Sequence, residues 1–109
     1  MKRVFILSRH SLFGHGVESL LRQEAELEVV GRETIADRAL ERIQELQPDV
    51  VIVENDDPEL DLKPVVMRIL NGGSGITVVG LSPQNNIIHT YRGEHGIVRE
   101  VEDLVGAIK

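Results

Sequence analysis

The run Pro48-Asp49-Val50-Val51-Ile52-Val53-Glu54 constrains the fold more than any other stretch of this chain. Four β-branched apolar residues stand in succession, Val50 to Val53, with no polar residue alternating between them. A strand of that kind is buried on both faces, which is the situation of a parallel sheet covered by helices. The run stops at a carboxylate, Glu54. In open parallel sheets, ligands and chemistry gather at the carboxyl ends of the strands, so Glu54 is the first candidate site residue. An acidic loop follows it, with Asp56, Asp57, Glu59 and Asp61 and no base among them.

The flanking sequence repeats this logic. Val4 to Leu7 makes a first buried strand, followed by the polar loop Ser8, Arg9, His10 and Ser11. Phe13, Val17, Leu20 and Leu21 recur at helical spacing, with Ser11 as the expected N-cap. Leu27 to Val30 predicts a second strand closed by Gly31. Ala36, Ala39, Leu40, Ile43 and Leu46 form the next helical stripe, stopped by Pro48. After the Val50–Val53 strand, Asp61 can cap a third helix that has Pro64 in its first turn. Its stripe is Val65 or Val66, Ile69 and Leu70, and Asn71 to Gly75 end it. Ile76 to Leu81 is the fourth strand, running into Ser82 and Pro83. Val101, Leu104, Val105 and Ile108 mark a terminal helix. Short connections between alternating strands and helices argue an α/β domain, residues 1–109, with a doubly wound parallel sheet.

Residues 84–100 break the alternation. Ile87, Ile88, Thr90 and Tyr91 favour strand, Arg92 to Gly96 carries two glycines suited to a turn, and Ile97 and Val98 resume strand character. The composition favours a β-hairpin. The other reading is a short helix over 84–92, with Ser82 as cap, Pro83 at the first helical position, and Ile87, Ile88 and Tyr91 on one face.

Bulk properties exclude several functions. The 109 residues suit one domain, and 41% hydrophobic content supplies a core. There is no cysteine, so thiolate and disulfide chemistry are out and a reducing, cytoplasmic setting is expected. No apolar run has membrane-spanning length, and no leader is visible at the N-terminus. A net charge of -6 and 3% aromatic content argue against direct nucleic-acid binding through a basic face or stacking platform.

Three stretches together carry a family resemblance. V-F-I-L-S-R-H-S-L-F resembles the opening of a response-regulator receiver, a strand followed by Asp-Asp-His-x-Leu-Phe. E-V-V-G followed by a helix ending Q-P-D-V-V-I-V resembles the subfamily whose members often carry helix-turn-helix output domains. T-V-V-G-L-S resembles the fourth strand with its terminal Ser or Thr. The chain thus resembles a CheY-like receiver domain over residues 3–82. The resemblance implies the flavodoxin-like strand order 2-1-3-4-5, with the fourth helix replaced here by the hairpin.

The departures from the family pattern fall on its chemistry. Where the family's phosphoacceptor Asp is expected, this chain has Glu54. Where an acid pair would hold Mg²⁺, it has Ser8 and Arg9. Ser82 matches the switch hydroxyl, and Arg99 is the nearest basic candidate for the lysine of the fifth strand. A magnesium shell calls for hard oxygen ligands, and a guanidinium offers only donors. Phosphoryl transfer depends on positioning and metal stabilisation, and both are compromised. The resemblance with these departures implies a pseudo-receiver, non-enzymatic and without cofactor or metal. Its expected partners are proteins, with a homodimer as one form; nucleic acid and membrane are not expected. The alternatives are a working phosphoacceptor using Glu54 or a neighbouring Asp, and a small-ligand-binding α/β domain.

Plainer readings compete at each position. Glu54 can be a solvated strand-end acid, and the Glu54–Asp61 run a solvated loop with a helix cap. His10 and His15 have the wrong spacing for a helical metal pair, and His89 and His95 fall in the irregular segment. Gly72, Gly73 and Gly75 follow a helix, the reverse of a phosphate loop's context. No nucleophile-elbow motif surrounds Ser82. Arg9 and Glu54 end strands that are neighbours in the implied order, so Arg9 is expected to pair with Glu54 or Asp56 as a built-in cation.

Overall fold

A computed structural model describes residues 1–9, 11–54, 63–72, 75–82, 87–92 and 97–101. The elements are β1 (Lys2–Leu7), α1 (Ser11–Arg22), β2 (Leu27–Glu33), α2 (Ala36–Leu46), β3 (Val50–Glu54), α3 (Lys63–Gly72), β4 (Thr77–Ser82), β5 (Ile87–Arg92) and β6 (Ile97–Val101). They form one six-stranded sheet in the order β2-β1-β3-β4-β5-β6. The first four strands run parallel. This is the α/β, flavodoxin-like receiver fold expected from the sequence.

β3 is buried along its whole length, as its unbroken apolar run requires, and its side chains alternate between two cores. Val50 and Ile52 join Val4, Ile6, Val17 and Leu21 on the α1 side. Val51 and Val53 join Phe5, Leu7, Ala39, Ile43, Val66 and Ile69 on the α2 and α3 side.

The last two strands are antiparallel, β5 to β4 and β6 to β5. Only residues 83–86 separate β4 from β5. A parallel return needs a crossover of a dozen or more residues, so the chain can only reverse direction beside β4. The hairpin expected at 87–98 is therefore present, running to Val101, and the short helix over 84–92 is not formed in 87–92. The terminal helix expected from Val101 lies outside the described residues, save that Val101 itself closes β6.

Other boundaries moved for identifiable reasons. Ser11 is the first helical residue of α1 instead of its cap, and Asp61 lies outside the described residues. The third helix continues through Asn71 to Gly72. α2 ends as expected before Pro48, with Gln47 in the left-handed region at φ 46°. There the Arg3 guanidinium donates to the Leu46 carbonyl at 2.6 Å and the Gln47 carbonyl at 3.3 Å. A cation thus covers the negative end of α2.

Gly31 does not close β2. The strand continues to Glu33, and the register slips between Val4 and Phe5 so that β2 carries one extra residue. Gly31 instead makes room: a Cβ there would lie 2.8 Å from the Phe5 ring and 3.0 Å from Arg42 Nη2. Arg42 sits over that ring, 5.4 Å from its centroid.

Candidate functional site

β1 and β3 are parallel neighbours, and Leu7 is level with Val53. The next residue on each strand is the site pair. Ser8 extends the ladder one step, its N–H donating to the Glu33 carbonyl at 3.0 Å. Its hydroxyl donates to Glu54 Oε2. The two residues are 1% and 4% exposed, buried polar groups in an otherwise apolar core among the described residues. Gly14 of α1 closes over Ser8, since a Cβ on it would come within 3.2 Å of Ser8 Cβ and 3.1 Å of Arg32 Cδ.

Arg9 takes a different position. It is exposed and lines a cleft of about 220 Å³ with Leu7, Thr34, Ala36, Val53, Glu54 and Val65. Arg9 follows Leu7 by two residues, and Leu7 and Val53 belong to the core on the α2 and α3 side. Ser8 lies on the opposite side, against α1. Side-chain alternation along β1 thus sends the hydroxyl and the guanidinium to different faces. Among the described residues no Arg9–Glu54 ion pair forms, which corrects the expected pairing: the Glu54 partner is the hydroxyl of Ser8. The other expected acceptor, Asp56, lies outside the described residues, as does Asp57.

Ser82 is the last residue of β4, one past Leu81, which is level with Glu54. It therefore stands at the same sheet edge as Ser8 and Glu54. Arg99 does not. It is level with Thr90, Val79 and Ile52, two residues short of that edge. Its strand is three places from β3, roughly 14 Å at about 4.8 Å per strand.

Thr34 escaped the sequence reading, and Ala36 and Val65 were read as helix-stripe residues without their place on the cleft. Thr34 follows β2 directly, but the strand was ended early at Gly31, so Thr34 fell away from the edge. Arg32 also went unnoticed. Level with Ile6, it pairs with Glu18 Oε1 at 3.8 Å, while its buried Nη1 has no hydrogen-bond partner.

The fold family implies a magnesium ion here, and the described residues do not fit one. Glu54 brings a single carboxylate already engaged by Ser8, and Arg9 brings a cation. Among the described residues no group of three His, Cys, Asp or Glu side chains could hold a metal. No helix among them is long and apolar enough to cross a membrane.

Known proteins resemble the chain in the same terms. A protein-glutamate methylesterase/protein-glutamine glutaminase of Syntrophomonas wolfei subsp. wolfei is 33% identical over 69 residues, 63% of this chain and 20% of that protein. The transcriptional regulatory protein DegU of Brevibacillus brevis is 30% identical over 98% of this chain and 48% of its own length. The chain thus spans about half or less of the curated relatives it matches. Among solved structures, the signal receiver domain of NarL from Mycobacterium tuberculosis superposes with a TM-score of 0.65 at 28% identity, over 74% of this chain and 65% of that one. The response regulator domain of Thermotoga maritima CheB gives 0.65 at 21% identity, over 75% and 60%, and shows the fold alone. No family model matches the chain.

Proposed function

We propose that this CheY-like response-regulator receiver domain of two-component signalling acts as a phosphorylation-independent protein-interaction module and not as an enzyme. One observation carries the reading. The carboxylate at the phosphoacceptor position is closed into a buried hydrogen bond with Ser8, the residue that stands where a metal-binding acid would be. A receiver switches because a phosphoryl group and its metal bias two arrangements of the same packed elements. Here the hydroxyl and the carboxylate satisfy each other, and the neighbouring Arg9 offers a fixed cation. The partner on this reading is a protein, a second copy of the chain included. The antiparallel β5–β6 edge, which replaces the parallel strand and helix implied by the family, gives it a different face to present. A cytoplasmic location goes with this role.

The test is intact-mass measurement after incubation with acetyl phosphate and Mg²⁺. The unmodified mass is expected. A stoichiometric, hydroxylamine-labile adduct would favour the competing reading, a phosphoacceptor at Glu54, Asp56 or Asp57.

A further inference from the structure

The outer face of α1 is unlike that of a solvated helix. The twelve residues of α1 hold two charges, Glu18 and Arg22, and these pair with each other at 2.8 Å. In α2, by contrast, five of eleven residues are charged. Along the outer face of α1 stand Leu12, His15, Gly16, Ser19 and Leu20, all exposed and none charged at pH 7 with histidine neutral. Leu12 is 85% exposed and Leu20 48%.

Gly16 has no explanation within the described residues. Glycine disfavours a helix interior relative to alanine. Gly14 answers to the close packing of Ser8 and Arg32, whereas a Cβ on Gly16 meets nothing within 4 Å. Leu12 stands four residues before Gly16 and Leu20 four after it. On a helix these three make one i±4 ridge with a notch at its middle.

We infer that α1 is a contact surface between two copies of this chain, crossing antiparallel at Gly16. A two-fold contact needs residue i to meet j and j to meet i. The ridge meets that condition about Gly16, with Leu12 of each copy beside Leu20 of the other. Ridges of this type interdigitate at about −50°, and the missing side chain at the crossing lets the backbones approach. Charge selects the occupant. Each copy carries a net charge of -6, so two copies repel through most of their surfaces. An uncharged face is where a second copy settles, and a basic partner finds nothing there to pair with. Contact through one short helix lies below the about 1,200 Å² of stable interfaces, so the dimer belongs to the weak, concentration-dependent class. The inference rests on the protein-interaction reading and names its face and its partner.

The experiment is sedimentation equilibrium of the full chain from about 10 μM to about 2 mM, the span of weak dissociation constants. The mean mass is expected to climb from 12.1 kDa toward twice that value. Raising the salt from about 0.1 M to about 0.5 M should tighten the dimer about twofold or more, by screening the net repulsion. Leu12→Asp changes an exposed residue in the first turn of α1, where an acid suits the helix end. Present twice in the dimer, it should weaken association at least about tenfold. Gly16→Leu adds apolar surface and helix propensity but fills the notch. It should raise the Tm of the dilute monomer and also weaken the dimer at least about tenfold. Three results overturn the inference: a mass of 12.1 kDa throughout, which leaves the face to a different protein; a dimer indifferent to Leu12→Asp; or a dimer that Gly16→Leu leaves unweakened. None of these touches the absence of phosphorylation, and a phosphoryl adduct in the mass measurement would leave the α1 contact standing.

Discussion

The Ser8 hydroxyl is held against the Glu54 carboxylate across the ends of two parallel strands, and both residues are buried. In the family this edge is expected to be acidic and metal-seeking. Here a neutral donor faces one carboxylate, and the pair closes on itself.

Removing the hydroxyl should be costly. Ser8→Ala leaves a buried carboxylate short of a donor, and a hydrogen bond to a charged group contributes about 1.5–3 kcal/mol. Urea unfolding at neutral pH should show a loss of that order for Ser8→Ala. Adding Glu54→Gln, which removes the stranded charge, should recover part of it, as a coupled pair requires. A loss below about 0.5 kcal/mol would place Ser8 among ordinary surface-type substitutions.

Arg9 should behave in the opposite way. It is exposed and makes no ion pair with Glu54 among the described residues, so Arg9→Met is expected to change stability by no more than about 0.5 kcal/mol. A cycle with Glu54→Gln should be additive. Coupling above about 1 kcal/mol would restore the built-in cation expected from the sequence.

Gly31→Ala tests the close approach of Phe5 to β2. The new methyl would meet the Phe5 ring at 2.8 Å, and Phe5 is fully buried, so the ring cannot swing aside into solvent. Overpacking of this kind costs about 1–3 kcal/mol. Calorimetry should show a lowered Tm, and near-ultraviolet circular dichroism a disturbed aromatic environment. An unchanged Tm would mean that the Phe5 ring does not close the space beside Gly31.

These positions also show what the sequence could and could not tell. β3 was legible because four apolar residues without alternation admit few structures. The hairpin was legible because Ile87, Ile88, Thr90, Tyr91, Ile97 and Val98 carry strand composition around a glycine turn. Gly31 misled because a glycine after an apolar run reads as a strand end, whereas the close approach of Phe5 and Arg42 needed the missing side chain. The Arg9–Glu54 pairing misled because strand order alone brought the residues together. Side-chain alternation, which a loop residue leaves ambiguous, decided which neighbour met the carboxylate. Thr34 was hidden by the same early ending of β2.

Arg3 gives a test independent of the site. Its guanidinium donates to the Leu46 and Gln47 carbonyls at the end of α2. Arg3→Ala should cost about 1 kcal/mol, the scale of one hydrogen bond together with a favourable helix-end charge. Hydrogen exchange should quicken first at the amides of the last α2 turn. Uniform quickening across the sheet instead would mean that Arg3 contributes through β1 alone.

The central claim is that the Ser8–Glu54 edge holds one state and does not answer a phosphoryl group. It is tested most directly by ¹H–¹⁵N spectra of the chain with and without beryllofluoride and Mg²⁺. Beryllofluoride mimics a phosphoryl group held on a carboxylate beside a metal. The account predicts that the amides of Ser8, Arg9, Glu54 and Ser82 stay in place. A second set of resonances for those four residues, growing with beryllofluoride and dependent on Mg²⁺, would contradict it.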